Sequence, residues 1–240
     1  MSEPTRPDPT APPGPTEPGP TAPDPTAPTA ATAATAATGR GVRLGYHGSA
    51  EVASRVIRTA GWDESAVRLS QYDIADPFAE LRRGTLDVMI VKFGLREPDL
   101  VTSRVLTYDA RAAVVGADHP VAAHGSVSVE DLADYDAFDC PGKLPGYVWD
   151  EVVPRHTPAG RPIHRRHQVT DVPTMMRLVA GAGAVHISLV SLADIAPPAV
   201  RIVPIDDLPA APVTLAWCRG RELPAPVHDF ITAAEAGASR

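Results

Sequence analysis

The ten residues Arg82-Arg83-Gly84-Thr85-Leu86-Asp87-Val88-Met89-Ile90-Val91 constrain the fold more than any other stretch of this chain. Basic residues close a helical pattern, a glycine supplies the turn, and an apolar strand follows. The strand runs out at Lys92-Phe93-Gly94, residues suited to the rim of a cleft. A matching start lies upstream, where Val42–Tyr46 reads as a strand and His47-Gly48-Ser49 leads into a helix from about Ala50 to Ala60. Strand–helix–strand units of this kind build a parallel sheet, and its ligands sit beyond the carboxyl ends of the strands.

The rest of the globular part keeps the same alternation. Val67–Gln71 is expected as a second strand, and Asp76-Pro77 as the start of a helix through Phe78 and Leu81 to Gly84, with proline in its first turn. Val101–Leu106, Ala110–Val115, Ala137–Cys140, His164–Val169, Ala184–Leu189, Val200–Ile205 and Val213–Cys218 read as further strands. Ser128-Val129-Glu130-Asp131-Leu132 has the form of a capped short helix. Helices are also expected around Tyr147–Val153, from Thr170 or Asp171 through Val179, and over Val227–Glu235. The pattern indicates an α/β fold with largely parallel sheets, arranged as two similar blocks, the chain returning to the first block at its end.

The stretch from Met1 to about Arg40 is different material. Pro-Thr-Ala repeats give way to Thr-Ala-Ala repeats, with no aromatic and no large aliphatic residue to bury against the entropy of ordering. A disordered, partly polyproline-like tail is expected. The 44% hydrophobic content is enough for a real core in the remainder. A formal net charge of −7 argues against a nucleic-acid surface. Two cysteines without CxxC spacing indicate neither a disulfide framework nor a zinc site, and a reducing cytoplasm fits best. No apolar run reaches the roughly eighteen residues of a membrane span, and the N-terminus has no secretory signal pattern, so no membrane contact is expected. No cofactor is expected either.

Six segments, in order, then point to a family. They are Val42-Arg43-Leu44-Gly45-Tyr46, the run Leu81–Ile90, Asp118-His119-Pro120-Val121-Ala122, the run Val127–Asp134, the run Leu178–Val185, and Leu215-Ala216-Trp217-Cys218-Arg219. Together they resemble the effector-binding domain of LysR-type transcriptional regulators, over about Val42 to Ala236. The resemblance implies a fold similar to type II periplasmic binding proteins, with two Rossmann-like subdomains, two crossover strands and a ligand cleft between. Subdomain I would be about 42–106 and 213–236, and subdomain II about 107–212. It also implies a small-molecule effector, a homodimer through the effector domains, and a role in transcriptional regulation. Members of the family carry an N-terminal winged helix-turn-helix and a linker helix. The Pro/Thr/Ala tail stands in that place here, so direct DNA binding is not expected and a full-length regulator is an expected partner.

A ligand in such a cleft meets helix N-termini, whose free N–H groups favour an anion, most simply an organic acid. Three are offered, at His47-Gly48-Ser49, at Pro141-Gly142-Lys143 and at Thr170-Asp171-Val172. The candidate ligand-binding residues are therefore Ser49, His47, Lys92, Phe93, Gly142, Lys143, Thr170 and His186. Several have a plainer reading. Ser49 serves equally as a helix cap, Lys143 as a solvated loop residue, and Lys92 as a side chain reaching to water. Asp171 would repel an anion and reads as a cap. His186 stands where the resemblance implies an aliphatic residue, and Ser188 where it implies a proline; this departure would tune the choice of ligand, or be a strand histidine satisfied in the core.

His164 and His167 fall on opposite faces of a strand, which excludes one shared metal ion. Cys140 reads as an inert, partly buried thiol unless a neighbouring cation lowers its pKa. Met175 and Met176 read as packing, and Asp134, Asp136 and Asp139 as a solvated face. An enzyme built on the same cleft, through His47, Cys140, Lys143 or His186, is the alternative function, though no nucleophile–base pair stands at recognisable spacing. A truncated regulator is a third.

Overall fold

The computed structural model of the protein describes residues 41–168 and 170–238. The expected tail from Met1 to about Arg40 lies outside the described residues, as does Val169 at the end of the expected His164–Val169 strand. The chain runs β1 (Val42–Tyr46), α1 (Ala50–Thr59), β2 (Val67–Gln71), α2 (Ala79–Arg83), β3 (Val88–Lys92), β4 (Leu100–Thr102), β5 (Thr107–Asp109) and β6 (Arg111–Gly116). It continues with α3 (Val129–Leu132), β7 (Ala137–Asp139), α4 (Gly146–Val152), β8 (Arg165–Gln168), α5 (Val172–Ala182), β9 (His186–Leu189), β10 (Val200–Pro204), β11 (Ala211–Cys218) and α6 (Ala225–Gly237).

The first sheet is ordered β2-β1-β3-β11-β4, with β5 also on β11. Its first three strands are parallel, because α1 and α2 carry the chain back between them. α1 is capped by Ser49, whose hydroxyl accepts from the Glu51 N–H at 3.1 Å, and it buries Val52, Ala53, Val56 and Ile57. Gly84 ends α2 in the left-handed conformation, φ 77°, which a residue with a Cβ adopts only under strain. α6 lays Val227, Phe230 and Ile231 over Val42, Leu44 and Leu215, so the end of the chain closes the core begun by its first strand. Full burial of a side chain such as Phe230 contributes about 2–3 kcal/mol.

The second sheet is β10-β6-β9. Its middle strand β6 is buried at every position, which suits its nearly continuous small apolar run. α5 covers one face through Met175, Met176 and Val179, and β7 and β8 form a separate parallel pair beside it. The chain passes between the sheets twice, from β5 into β6 and from β10 into β11. The two passages pair with each other, Asp109 opposite Ala211.

Three expectations are corrected. The sheets are not largely parallel: β11 is antiparallel to β3, β4 and β5, and β6 is antiparallel to both neighbours. A strand entering from the other lobe arrives in the opposite sense, and nothing local marks that direction. The helix expected from Asp76-Pro77 begins only at Ala79, because Asp73 holds residues 73–76 in a turn through its carboxylate and carbonyl. The expected strand Val101–Leu106 keeps only residues 101–102, in β4, and the next strand, β5, starts after it at Thr107; at Ser103 the N–H donates to the Leu215 carbonyl and the hydroxyl accepts from the Leu215 N–H.

Candidate functional site

A cavity of about 120 Å³ lies between the two sheets. The carboxyl end of β1 brings His47 and Gly48 to it, that of β3 brings Lys92 and Phe93, and β9 brings His186 and Ser188. From the helices come Val148, Trp149 and Val152 of α4 and Val172 at the start of α5. Most of the remaining wall is aliphatic or aromatic, including Tyr72, Phe78 and Leu192. Among the lining residues the basic groups are His47, Lys92 and His186, and no carboxylate lines the space.

Lys92 does not reach to water. Its ammonium donates to Asp109 Oδ2 and to Ser191 Oγ, both at 2.9 Å, and its side chain is 14% exposed. The Ser191 N–H in turn donates to Asp109 Oδ1 at 3.2 Å. Burial lowers the Lys92 pKa, partly offset by Asp109. Two of the three ammonium donors are thus used within the protein. Phe93, next along, is the one non-glycine residue with positive φ among the described residues, at 81°. Such strain persists only where the surroundings impose it, and it collects at functional sites. Here it turns the ring into the cavity wall, under the Arg111 guanidinium at 5.2 Å.

Arg111 enters from β6, the middle strand of the second sheet. It is 3% exposed and donates to the Ser188, Glu151 and Val152 carbonyls, and burial pulls its pKa down to about 10. His47 donates from Nδ1 to the Tyr72 carbonyl at 3.3 Å, and burial holds its pKa below the usual imidazole value. His186 is 5% exposed, stacked on Trp149 at 5.8 Å and edge-on to Phe138 at 5.3 Å. Burial, aided by the charges of Arg111 and His47, pushes its pKa down to about 3, so its ring is neutral at ordinary pH. Its Nδ1 is enclosed without a hydrogen-bond partner among the described residues.

The cavity therefore brings together His47, Lys92, Phe93 and His186 of the expected residues. Ser49 is spent elsewhere, capping α1 and donating to Asp194 Oδ2 at 2.5 Å. Thr170 is exposed and donates to Asp171, which caps α5 through the Thr174 N–H. Gly142 and Lys143 sit beside the cavity as a clasp: the Lys143 N–H donates to the Ala75 carbonyl at 2.5 Å, and its ammonium meets Asp76 at 2.8 Å. Gly142, at φ 45°, has the Ala75 carbonyl oxygen crowding the place where a Cβ would stand. Cys140 donates its thiol to the Leu144 carbonyl at 3.2 Å, and burial raises its pKa.

Sequence reasoning passed over Asp109, Arg111 and Ser191. Arg111 had a signal, a charge inside an otherwise apolar strand. Asp109 and Ser191 had none, since Ser191 meets Lys92 only across 99 positions of chain.

A family model described as LysR substrate binding domain matches residues 60–239. Among solved structures, the effector-binding domain of QuiR in complex with shikimate aligns at a TM-score of 0.62 and 20% identity, covering 83% of this chain and 97% of that one. The BenM effector-binding domain with its effector benzoate aligns at 0.61 and 18%, covering 82% and 90%. The regulatory domain of Synechocystis PCC6803 CcmR in complex with 2-PG aligns at 0.58 and 16%, covering 83% and 97%. At such identities the likeness carries the fold alone. No curated protein sequence matches the chain.

Proposed function

This chain belongs to the LysR substrate-binding domain family, with its type II periplasmic-binding-protein-like fold, and from that premise we propose that its cavity binds a small organic acid as a regulatory effector. One observation carries the ligand class: the Lys92 ammonium stands in the cavity wall and no carboxylate is among the lining residues. The third ammonium donor of Lys92 is left for a guest carboxylate. The start of α1, at Gly48, adds the favourable end of a helix dipole. A cavity of about 120 Å³ is on the scale that admits a single ring.

The lobes we propose are 42–106 with 213–236, and 107–212, supported by the two chain passages at β5 and β11. Effector binding between them is read out by closure. We further propose that the protein works in the cytoplasm as a homodimer through these domains and acts on transcription through a partner regulator, without holding DNA itself. The proline- and threonine-rich composition of the first forty residues and the net charge of −7 support that reading. No helix among the described residues is long and apolar enough to cross a membrane.

Calorimetric titration of the full chain with benzoate and shikimate tests the ligand class. At least one should bind and raise the melting temperature, since a ligand of the native state alone stabilises it. Ser188→Phe, which fills the cavity from β9, should weaken that binding tenfold or more. Absence of binding by both acids, or equal binding by Ser188→Phe, would refute the assignment.

A further inference from the structure

β9 carries two polar side chains that its packing does not use. His186 and Ser188 are two residues apart, so both project from the same face of the strand, and both line the cavity. Their partners across the ladder on β6 are Val114 and Ala112, which offer no hydrogen bond from a side chain. The His186 Nδ1 is buried with no hydrogen-bond partner among the described residues, and the residue is only 5% exposed. A buried polar group left unpaired costs free energy, and native proteins satisfy nearly all of them. A ring held between Trp149 and Phe138 cannot turn away to find water without losing both contacts.

We propose that His186, seconded by Ser188, is the specificity-determining residue of this cavity and reads a neutral hydroxyl on a single-ring carboxylic acid. The inference rests on the organic-acid reading above and sharpens it. Nδ1 is buried without a partner among the described residues, and the ring lines the cavity, so the imidazole is the polar group the guest meets there. The two ends of the site then ask for different chemistry. Lys92 is an ammonium and takes the carboxylate. His186 carries no charge at ordinary pH, held neutral by its burial and by Arg111 and His47, so it cannot attract a second carboxylate. A hydroxyl both donates and accepts, and so fits a neutral imidazole and the Ser188 hydroxyl alike. The groups facing His186 are Trp149 of α4, Phe138 of β7, Arg111 of β6 and His47 after β1, none of them a competing acceptor carboxylate.

The test compares benzoate with 2-, 3- and 4-hydroxybenzoate on the full-length protein by calorimetry. In the native protein at least one hydroxybenzoate should bind about tenfold more tightly than benzoate, the worth of one buried neutral hydrogen bond. In His186→Leu that ratio should fall below threefold, and His186→Asn, which keeps a donor and an acceptor, should restore part of it. Should His186→Leu fail to fold, nitrogen NMR of the native histidines supplies the readout, with the His186 signals moving for the hydroxybenzoate and not for benzoate. Hydroxybenzoates that bind no better than benzoate would overturn the proposal, as would a preference that survives His186→Leu. If benzoate and all three hydroxybenzoates fail to bind, this inference falls, and the organic-acid reading falls with it when shikimate fails as well.

Discussion

Acid should unfold this protein earlier than its carboxylates alone would dictate, and His186 should be the reason. The ring titrates near 6.5 when the chain is unfolded and at about 3 when folded. The folded pKa is depressed, so the unfolded chain binds the proton first as pH falls. The stability tied to the neutral ring is then fully present above about pH 6.5 and is lost progressively down to about pH 3. At pH 4.5 the loss amounts to about 2–3 kcal/mol, and it grows further towards the bottom of the window. Urea unfolding followed by tryptophan fluorescence, at pH 7 and pH 4.5, measures it directly. Other groups contribute to the same trend, including His47, whose pKa burial also lowers. The comparison with His186→Leu isolates the one ring: the native protein should lose about 2–3 kcal/mol more than the variant between the two pH values. Equal losses in both proteins would refute the reasoning, because they would mean the imidazole is solvated enough to take its proton.

Two more perturbations separate the site from its scaffold. Lys92→Met should cost about 3 kcal/mol in the same unfolding assay, since it leaves the buried Asp109 carboxylate without its cation, and Asp109→Asn added to it should recover much of that loss; a cost under about 1 kcal/mol would mean the pair is wet. Gly142→Ala should lower stability by about 1–3 kcal/mol and speed amide exchange at Lys143, because the new Cβ meets the Ala75 oxygen at a backbone angle of 45°; an unchanged melting midpoint would show that the two loops are not clasped in solution.

Much of the fold is legible in residues 42–237, and the reasons are local. β1 and β2 match their expected ranges because strand-forming residues are bounded by glycine, polar caps or turns. The capped short helix at Ser128 appears with both halves of its capping box, the Ser128 hydroxyl and the Asp131 carboxylate each meeting a backbone N–H. The site is legible only in part. His47, Lys92 and Phe93 could be placed because they follow strands whose carboxyl ends must face a cleft in this architecture. Thr170, Gly142 and Lys143 fit the same rule, yet line no part of the cavity, since a helix N-terminus near a cleft can still be turned to solvent or to another loop.

The chain by itself determined where strands, turns and helix caps form and that two α/β lobes result, because periodicity, capping and glycine conformations act over a few residues. Only the tertiary structure decided the sense in which β11 enters the first sheet and that Lys92 turns inward to Asp109 and Ser191. It also decided that Ser49 is claimed by Asp194 and that the Nδ1 of His186 is left enclosed without a partner among the described residues. Those outcomes depend on which group, up to 145 positions away, arrives within hydrogen-bond distance, and on how much water the assembled walls exclude.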